Sequence, residues 1–127
     1  MKVYRLSLLA LFIISVILSC KKKEDEVVKE KVKLYITADT GIYLTAFPLV
    51  LQLSGTNIET QNNIKSAHVM QVEYNKGEVQ TLNLKVVSGK IETAMTLEVA
   101  TSLYQSEKNR VAYKVSTSGD ISLTFTP

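Results

Sequence analysis

Apolar and polar residues alternate along most of the chain after its first thirty residues. A period of two is typical of half-buried β-strands, whereas an amphipathic helix would repeat every three or four residues. The alternating segments are 32–38, 66–74, 79–87, 90–99, 111–115 and 121–125. Residues 42–53 are almost continuously apolar, and Pro48 is expected to divide them into two short strands or to mark a bulge.

Two turns between these segments predict hairpins. Ser88-Gly89 suits a two-residue loop in which Val86 faces Ile91 across the two strands. Asn75-Lys76-Gly77 suits a three-residue loop with glycine in the left-handed position, which pairs residues 66–74 with the same central strand. The sequence therefore predicts a continuous antiparallel meander from residue 66 to residue 99.

The whole pattern predicts seven or eight strands and no helix. Regularly spaced strands separated by turns favour a small antiparallel β-sandwich, and a small β-barrel is the alternative. An immunoglobulin-like or transthyretin-like sandwich fits by size and strand count. Residues 54–65 are polar and rich in asparagine, and we interpret them as a loop of about a dozen residues between strands.

The first nineteen residues have the parts of an export signal. Lys2 and Arg5 form a positive start, and thirteen mostly apolar residues follow from Leu6 to Leu18. A membrane-spanning helix needs about 20 apolar residues, so this run is short for a permanent span. Cys20, the single cysteine of the chain, follows the apolar run and excludes an intramolecular disulfide.

The tetrad Ile17-Leu18-Ser19-Cys20 resembles the lipobox of bacterial lipoproteins. The resemblance implies cleavage between Ser19 and Cys20, attachment of acyl chains such as palmitate to Cys20, and a mature protein held on a membrane by lipid. Two alternatives are an ordinary secretory peptide cut nearby and an uncleaved N-terminal anchor.

The next stretch, residues 20–33, has the composition of a solvated linker. Residues 21–33 hold six lysines and four acidic residues, and too few apolar ones to order themselves. The run resembles the charged tether of lipoproteins in the Bacteroidota, which implies an outer-membrane location with display on the outer face. Contact between the lysines and anionic headgroups is another interpretation. The predicted organisation is a signal peptide at 1–19, the lipidated cysteine and tether at 20–33, and one β domain at 34–127.

The excess of positive charge lies outside the predicted domain. The chain has 15 basic and 12 acidic residues, but only seven basic and eight acidic ones remain after residue 33. A nearly neutral domain gives no support for a nucleic-acid partner. The predicted partners are the membrane, through the lipid, and an envelope protein or glycan.

The chain carries no recognisable catalytic or metal-binding motif. His68 is the single histidine, and its position in the alternation places it on a core face, opposite Leu84 in the predicted register. No nucleophile elbow, phosphate-binding glycine loop or set of metal ligands is present. Glu92 and Glu98 are interpreted as solvated residues of an outer face. The sequence thus predicts a protein that is not an enzyme and uses no cofactor.

Two kinds of binding remain open. The main hypothesis is a non-enzymatic, lipid-anchored envelope protein whose β-sandwich makes protein–protein or structural contacts. The alternative is an accessory lipoprotein that binds a small molecule or a glycan through the 54–65 loop. The candidate ligand-binding residues are Asn57, Gln61, Asn62 and Asn63 in that loop, and the outward tyrosines Tyr35 and Tyr104.

Overall fold

The computed structural model describes residues 27–41, 49–103 and 106–127. These residues form one 3₁₀ turn and eight strands: β1 Lys31–Asp39, β2 Val50–Gly55, β3 Gln61–Ile64, β4 His68–Asn75, β5 Gln80–Ser88, β6 Met95–Ala100, β7 Arg110–Ser116 and β8 Ile121–Phe125. Sheet I has the order β4-β1-β6-β7, and sheet II has the order β3-β2-β5-β8. Every ladder is antiparallel. The prediction of a small antiparallel β-sandwich with seven or eight strands is confirmed.

The inward faces of the two sheets form one aliphatic core. Alternation assigned these faces correctly on β1, β5, β6 and β8. The fully buried members include Leu34, Ile36, Ala38, Leu51, Leu53, Leu82, Leu84, Met95, Leu97, Val99 and Ile121. Tyr74 from sheet I meets Phe125 from sheet II edge to face, with ring centroids 5.5 Å apart. This contact joins the two layers and is a favourable aromatic geometry.

The predicted meander is wrong, because its strands alternate between the sheets instead of pairing in sequence. β5 pairs with β2 and β8 in sheet II, whereas β4 and β6 both pair with β1 in sheet I. Val86 lies opposite Leu51 rather than Ile91. Gly77 and Gly89 do have positive φ angles, of 77° and 89°. The turn residues were therefore identified correctly, but they join one sheet to the other.

The predicted 54–65 loop is also wrong, because part of it is a strand. Residues 61–64 form β3, which pairs with β2 through a register shift between Leu51 and Leu53. Ile64 is buried and anchors this short, otherwise polar strand to the core. Polar residues with one apolar anchor lack the alternation that reveals a strand in a sequence.

Strand β7 presents its apolar face to solvent. Residues 111, 113 and 115 alternate as the sequence indicated, yet Tyr113 and Val115 are exposed. The residues opposite the inward side chains of β6 are instead Ala112, Lys114 and Ser116. At this edge of sheet I, Tyr113 and Val115 therefore lie on the outside, while Val111 and Ala112 pack against the core.

The chain enters the sandwich at one end, which we call the tether end. Lys76 N–H donates to Glu30 O at 2.8 Å, and its Nζ lies 2.9 Å from a carboxylate oxygen of Glu30. Gly77 N–H donates to Pro127 O at 2.8 Å, which fastens the C-terminus at the same end. Lys29 and Asn75 donate to Glu78, and these bonds lower the pKa of the Glu78 carboxyl. Both ends of the described chain are thus fixed beside one turn.

Candidate functional site

The residues predicted to bind a ligand do not form one site. Four of them lie on the β2–β3 hairpin: Asn57, Gln61, Asn62 and Asn63. Tyr35 is half-buried on β1, in the other layer of the sandwich. Tyr104 lies outside the described residues, as do Ser19 and Cys20 of the predicted anchor and Pro48.

Side-chain contacts hold the hairpin together. Gln52 Nε2 donates to Asn62 Oδ1 at 2.6 Å, and Gln61 Nε2 donates to the backbone oxygen of Glu59 at 3.1 Å. Asn57 and Asn63 have φ angles of 57° and 60°, a left-handed conformation that asparagine adopts more readily than most residues. Some of the hydrogen-bonding groups of this hairpin are therefore already used by bonds within the hairpin.

A hollow of about 170 Å³ lies along the segment that leads from β3 to β4. Its lining is residues 61–68, none of which is acidic. His68 faces inward, as predicted, but it lies opposite Ala38 instead of Leu84. The His68 Nε2 atom is buried without a hydrogen-bond partner. Ligand pockets usually measure about 300–1,000 Å³, so this hollow is small for a ligand.

A larger cleft of about 430 Å³ lies at the end of the sandwich opposite the tether end. Val86 and Ile91 give it an apolar floor, and Lys90 and the turn 117–120 border it. Asp120 Oδ1 accepts the backbone N–H of Val86 at 2.8 Å, which ties the β7–β8 turn to β5. Gly89 and Gly119 stand in the two turns beside the cleft, which are far apart in the sequence, and nothing in the alternation indicated that they meet.

The outer face of sheet I carries a band of exposed apolar and aromatic side chains. Ladder pairs place Val69, Thr37, Glu98 and Tyr113 side by side across all four strands. Val115 lies next to Tyr113 on the same face of β7. The exposed fractions of Val69, Tyr113 and Val115 are 48%, 44% and 42%. We call this surface, together with Tyr35 and Arg110, the outer band.

Glu98 sits at the centre of the outer band and is almost fully buried, with 6% of its surface exposed. The prediction that Glu98 is a solvated residue is therefore wrong. Arg110 Nε donates to Glu98 Oε2 at 3.1 Å, and the Arg110 guanidinium lies 4.2 Å from the centroid of the Tyr113 ring. The arginine joins a carboxylate to an aromatic ring, which compensates for much of the cost of burying the charge.

This arrangement suits recognition of a surface better than chemistry. Arginine and tyrosine are enriched in protein interfaces, where a flat aromatic ring and a fixed guanidinium provide contact area with little loss of entropy. The sequence signal was β7 itself, where Arg110 and Lys114 share the strand with an alternating apolar face. Alternation shows that Val111, Tyr113 and Val115 share a face but does not say whether that face is buried, so the outer band was not predicted.

No protein-family model, curated protein sequence or solved structure matches the chain. Among the described residues, no helix is long and apolar enough to cross a membrane. The same part of the chain brings together no group of three or more histidine, cysteine or acidic side chains suited to a metal ion.

Proposed function

We propose that the chain is a lipid-anchored protein of the cell envelope that acts without catalysis, and that its β-sandwich contacts another protein through the outer band. The observation that supports the contact is the band itself. Exposed valines and a tyrosine cross one sheet face, around an arginine that is already fixed by Glu98. Exposed apolar patches of this kind mark interaction sites more often than isolated surface residues do.

The position of the anchor rests on the lipobox-like tetrad that ends at Cys20. The contacts of Glu30 and Pro127 at the tether end support the proposal, because they leave the outer band clear of the chain's point of attachment. Residues 21–28 can extend over at most about 29 Å. A tether of that length keeps the outer band close to the membrane surface, where another envelope protein can reach it.

A second function, binding of a small molecule or a glycan, has one observation in its favour. The 430 Å³ cleft beside Lys90 falls within the usual size of ligand pockets. Its apolar floor and bordering hydroxyl groups suit a ligand with one apolar face. The hairpin that the sequence indicated for this role borders only the smaller hollow.

The anchor is tested by the intact mass of the native protein from a membrane fraction, beside a Cys20→Ala form. We expect a chain that begins at Cys20 and carries acyl mass, and we expect that mass to disappear in the variant. An unmodified native chain would overturn the anchored part of the proposal.

The contact is tested by photo-crosslinking in intact cells. A photoreactive residue at position 113 in the outer band is compared with one at position 83, because Asn83 is exposed on the outer face of sheet II. We expect a defined adduct from position 113 and none from position 83. Equal yields from both positions, or no adduct from position 113, would contradict a contact through the outer band.

A further inference from the structure

Strand β4 forms one edge of sheet I, and among the described strands it has a neighbour on one side only. Its eight residues pair with β1 without any register shift. The bond from Lys76 N–H to Glu30 O extends this ladder and shows which residues bond across it. Because bonded pairs alternate along an antiparallel ladder, the even-numbered residues of β4 bond to β1. The N–H and C=O groups of Val69, Gln71 and Glu73 therefore point to the open edge.

Of the other three edge strands among the described residues, β3 and β7 carry devices that prevent further pairing. β3 has four residues and a register shift, and β7 has a register shift next to Ala100. In the alternation along β7, Lys114 occupies a position that faces the other sheet. Its Nζ donates to Ser122 O of β8 at 3.0 Å, and this bond joins the edge strands β7 and β8 of the two sheets. Bulges, short strands and inward-pointing charges are the usual means of protecting a sheet edge. β4 has none of them.

The charges and side chains of β4 suit an identical strand. Glu73 is the single charged residue of the strand, and Lys33 of β1 lies 3.9 Å from it. Met70 and Val72 face the core but are only half-buried at this edge. A second β4 strand placed alongside would cover both side chains and would bring no like charges together.

We propose that two copies of this chain associate through β4, antiparallel and centred on Gln71, to form a continuous eight-stranded sheet. The register follows from the free backbone groups. Asn75 O already accepts the N–H of Glu78 at 3.3 Å, so the open groups are those of residues 69, 71 and 73. Pairing centred on Gln71 uses all three and forms about six hydrogen bonds between the copies.

The same register gives side-chain pairs in which no like charges meet. Gln71 faces Gln71 of the second copy, and two amides can each donate and accept. Val69 faces Glu73 of the second copy, and Met70 faces its Val72. The association does not depend on the lipid anchor, and it shares only Val69 with the outer band, because every group involved lies on the edge of sheet I.

Disulfide trapping in intact cells tests the register, whether or not the chain is anchored. In the full chain, Gln71→Cys is expected to form a covalent dimer under mild oxidation, because bonded residues in such a pair have Cα atoms about 5.5 Å apart. Asn83→Cys is the matched control, since it places a cysteine on an exposed strand position away from any edge. Cys20 is common to both variants. Equal trapping, or none at position 71, would overturn the proposal.

A charge variant separates this edge from any other interface. Gln71→Lys places two lysines opposite each other on the symmetry axis, whereas the side chain is exposed in a single copy. We expect sedimentation of the detergent-solubilised full chain to give two copies for the native protein and at least a tenfold weaker association for Gln71→Lys. Asn83→Lys should associate like the native chain. A single native copy, or a dimer that Gln71→Lys does not weaken, would rule out pairing through β4.

Discussion

The two edge strands of sheet I, β4 and β7, differ in the side chains that they place in the core and in whether their outer backbone groups are open to pairing. β4 sends Tyr74 fully into the interior and leaves its outer backbone groups open. β7 sends Lys114 toward the neighbouring sheet and places Tyr113 on the surface. One edge is joined to the core by an aromatic ring, while the other is closed by polar contacts. Under the two proposals above, β4 contributes to stability and to association of two copies, and β7 contributes to contact with another protein.

The largest effect that we predict comes from the two tyrosines of these edges. Tyr74→Ala removes a buried ring that packs on Phe125, and should lower the free energy of unfolding by about 3–5 kcal/mol. Tyr113→Ala is the matched change on β7 and should cost less than about 1 kcal/mol, because that ring is 44% exposed. Chemical denaturation of both full-length variants checks the pair. Similar losses would contradict the assignment of the two edges.

Alternation predicted correctly which residues of β1 and β5 are buried. It did not predict which strands pair, and the reason is physical. In a strand, alternate residues point to the same face, so a face made of apolar residues is buried as a whole. The buried residues of these faces include Leu34, Ile36 and Leu84. A sandwich buries an amphipathic strand in either sheet, so the same pattern fits Val86 beside Ile91 or beside Leu51. The chain itself contains no local signal that chooses between these pairings.

The candidate site was harder to predict because it depends on neighbours that are distant in sequence. Glu98 alternates with apolar residues as a solvated residue does, but Arg110 and Tyr113 of the next strand cover it. β3 escaped prediction because Ile64 is its one buried residue. The glycine positions 77 and 89 were identified locally, since a positive φ is a property of the turn alone.

The second prediction concerns the ion pair between Arg110 of β7 and Glu98 of β6. Arg110→Ala leaves the Glu98 carboxylate buried without its cation, and should lower the free energy of unfolding by about 1–3 kcal/mol. Lys33→Ala removes a cation from Glu73 in a pair where both side chains are largely exposed, and should change little. Equal effects in denaturation would show that the Glu98 contact stabilises no more than a surface pair.

The third prediction uses pH to isolate the ring of β4. Burial raises the pKa of Tyr74 from 10.0 to about 12, and its hydroxyl has no hydrogen-bond partner. The neutral phenol is therefore favoured in the folded state. Its contribution to stability is complete below pH 10 and is lost as the pH rises from 10 to 12.

Tyr74→Phe isolates this effect, because phenylalanine keeps the ring and removes the ionisable group. We expect the unfolding free energy of the native chain to fall more steeply than that of the variant between pH 10 and pH 12. Below pH 10 the variant should be as stable as the native chain or slightly more so, since an unpartnered buried hydroxyl costs free energy. Parallel curves for the two proteins would contradict burial of the hydroxyl.

The smallest change in stability comes from a substitution that would make the two edges alike. Lys114→Val removes the inward charge and its bond to Ser122, and should alter the free energy of unfolding by less than about 0.5 kcal/mol because the side chain is exposed. The substitution should change the association of two copies much more than it changes the stability of one copy, because β7 loses a charge that protects its edge from pairing. Sedimentation measures that effect most clearly in a Gln71→Lys background, where the β4 edge is already blocked.

Lys85→Val in the same background is the control, because Lys85 is an exposed lysine on β5, a strand with neighbours on both sides. We expect association to return with Lys114→Val and to remain absent with Lys85→Val. If neither variant associates, the register shift beside Ala100 is sufficient to close β7, and the lysine bridge is not what distinguishes the two edges. If both associate, added surface hydrophobicity explains the result, and edge protection does not.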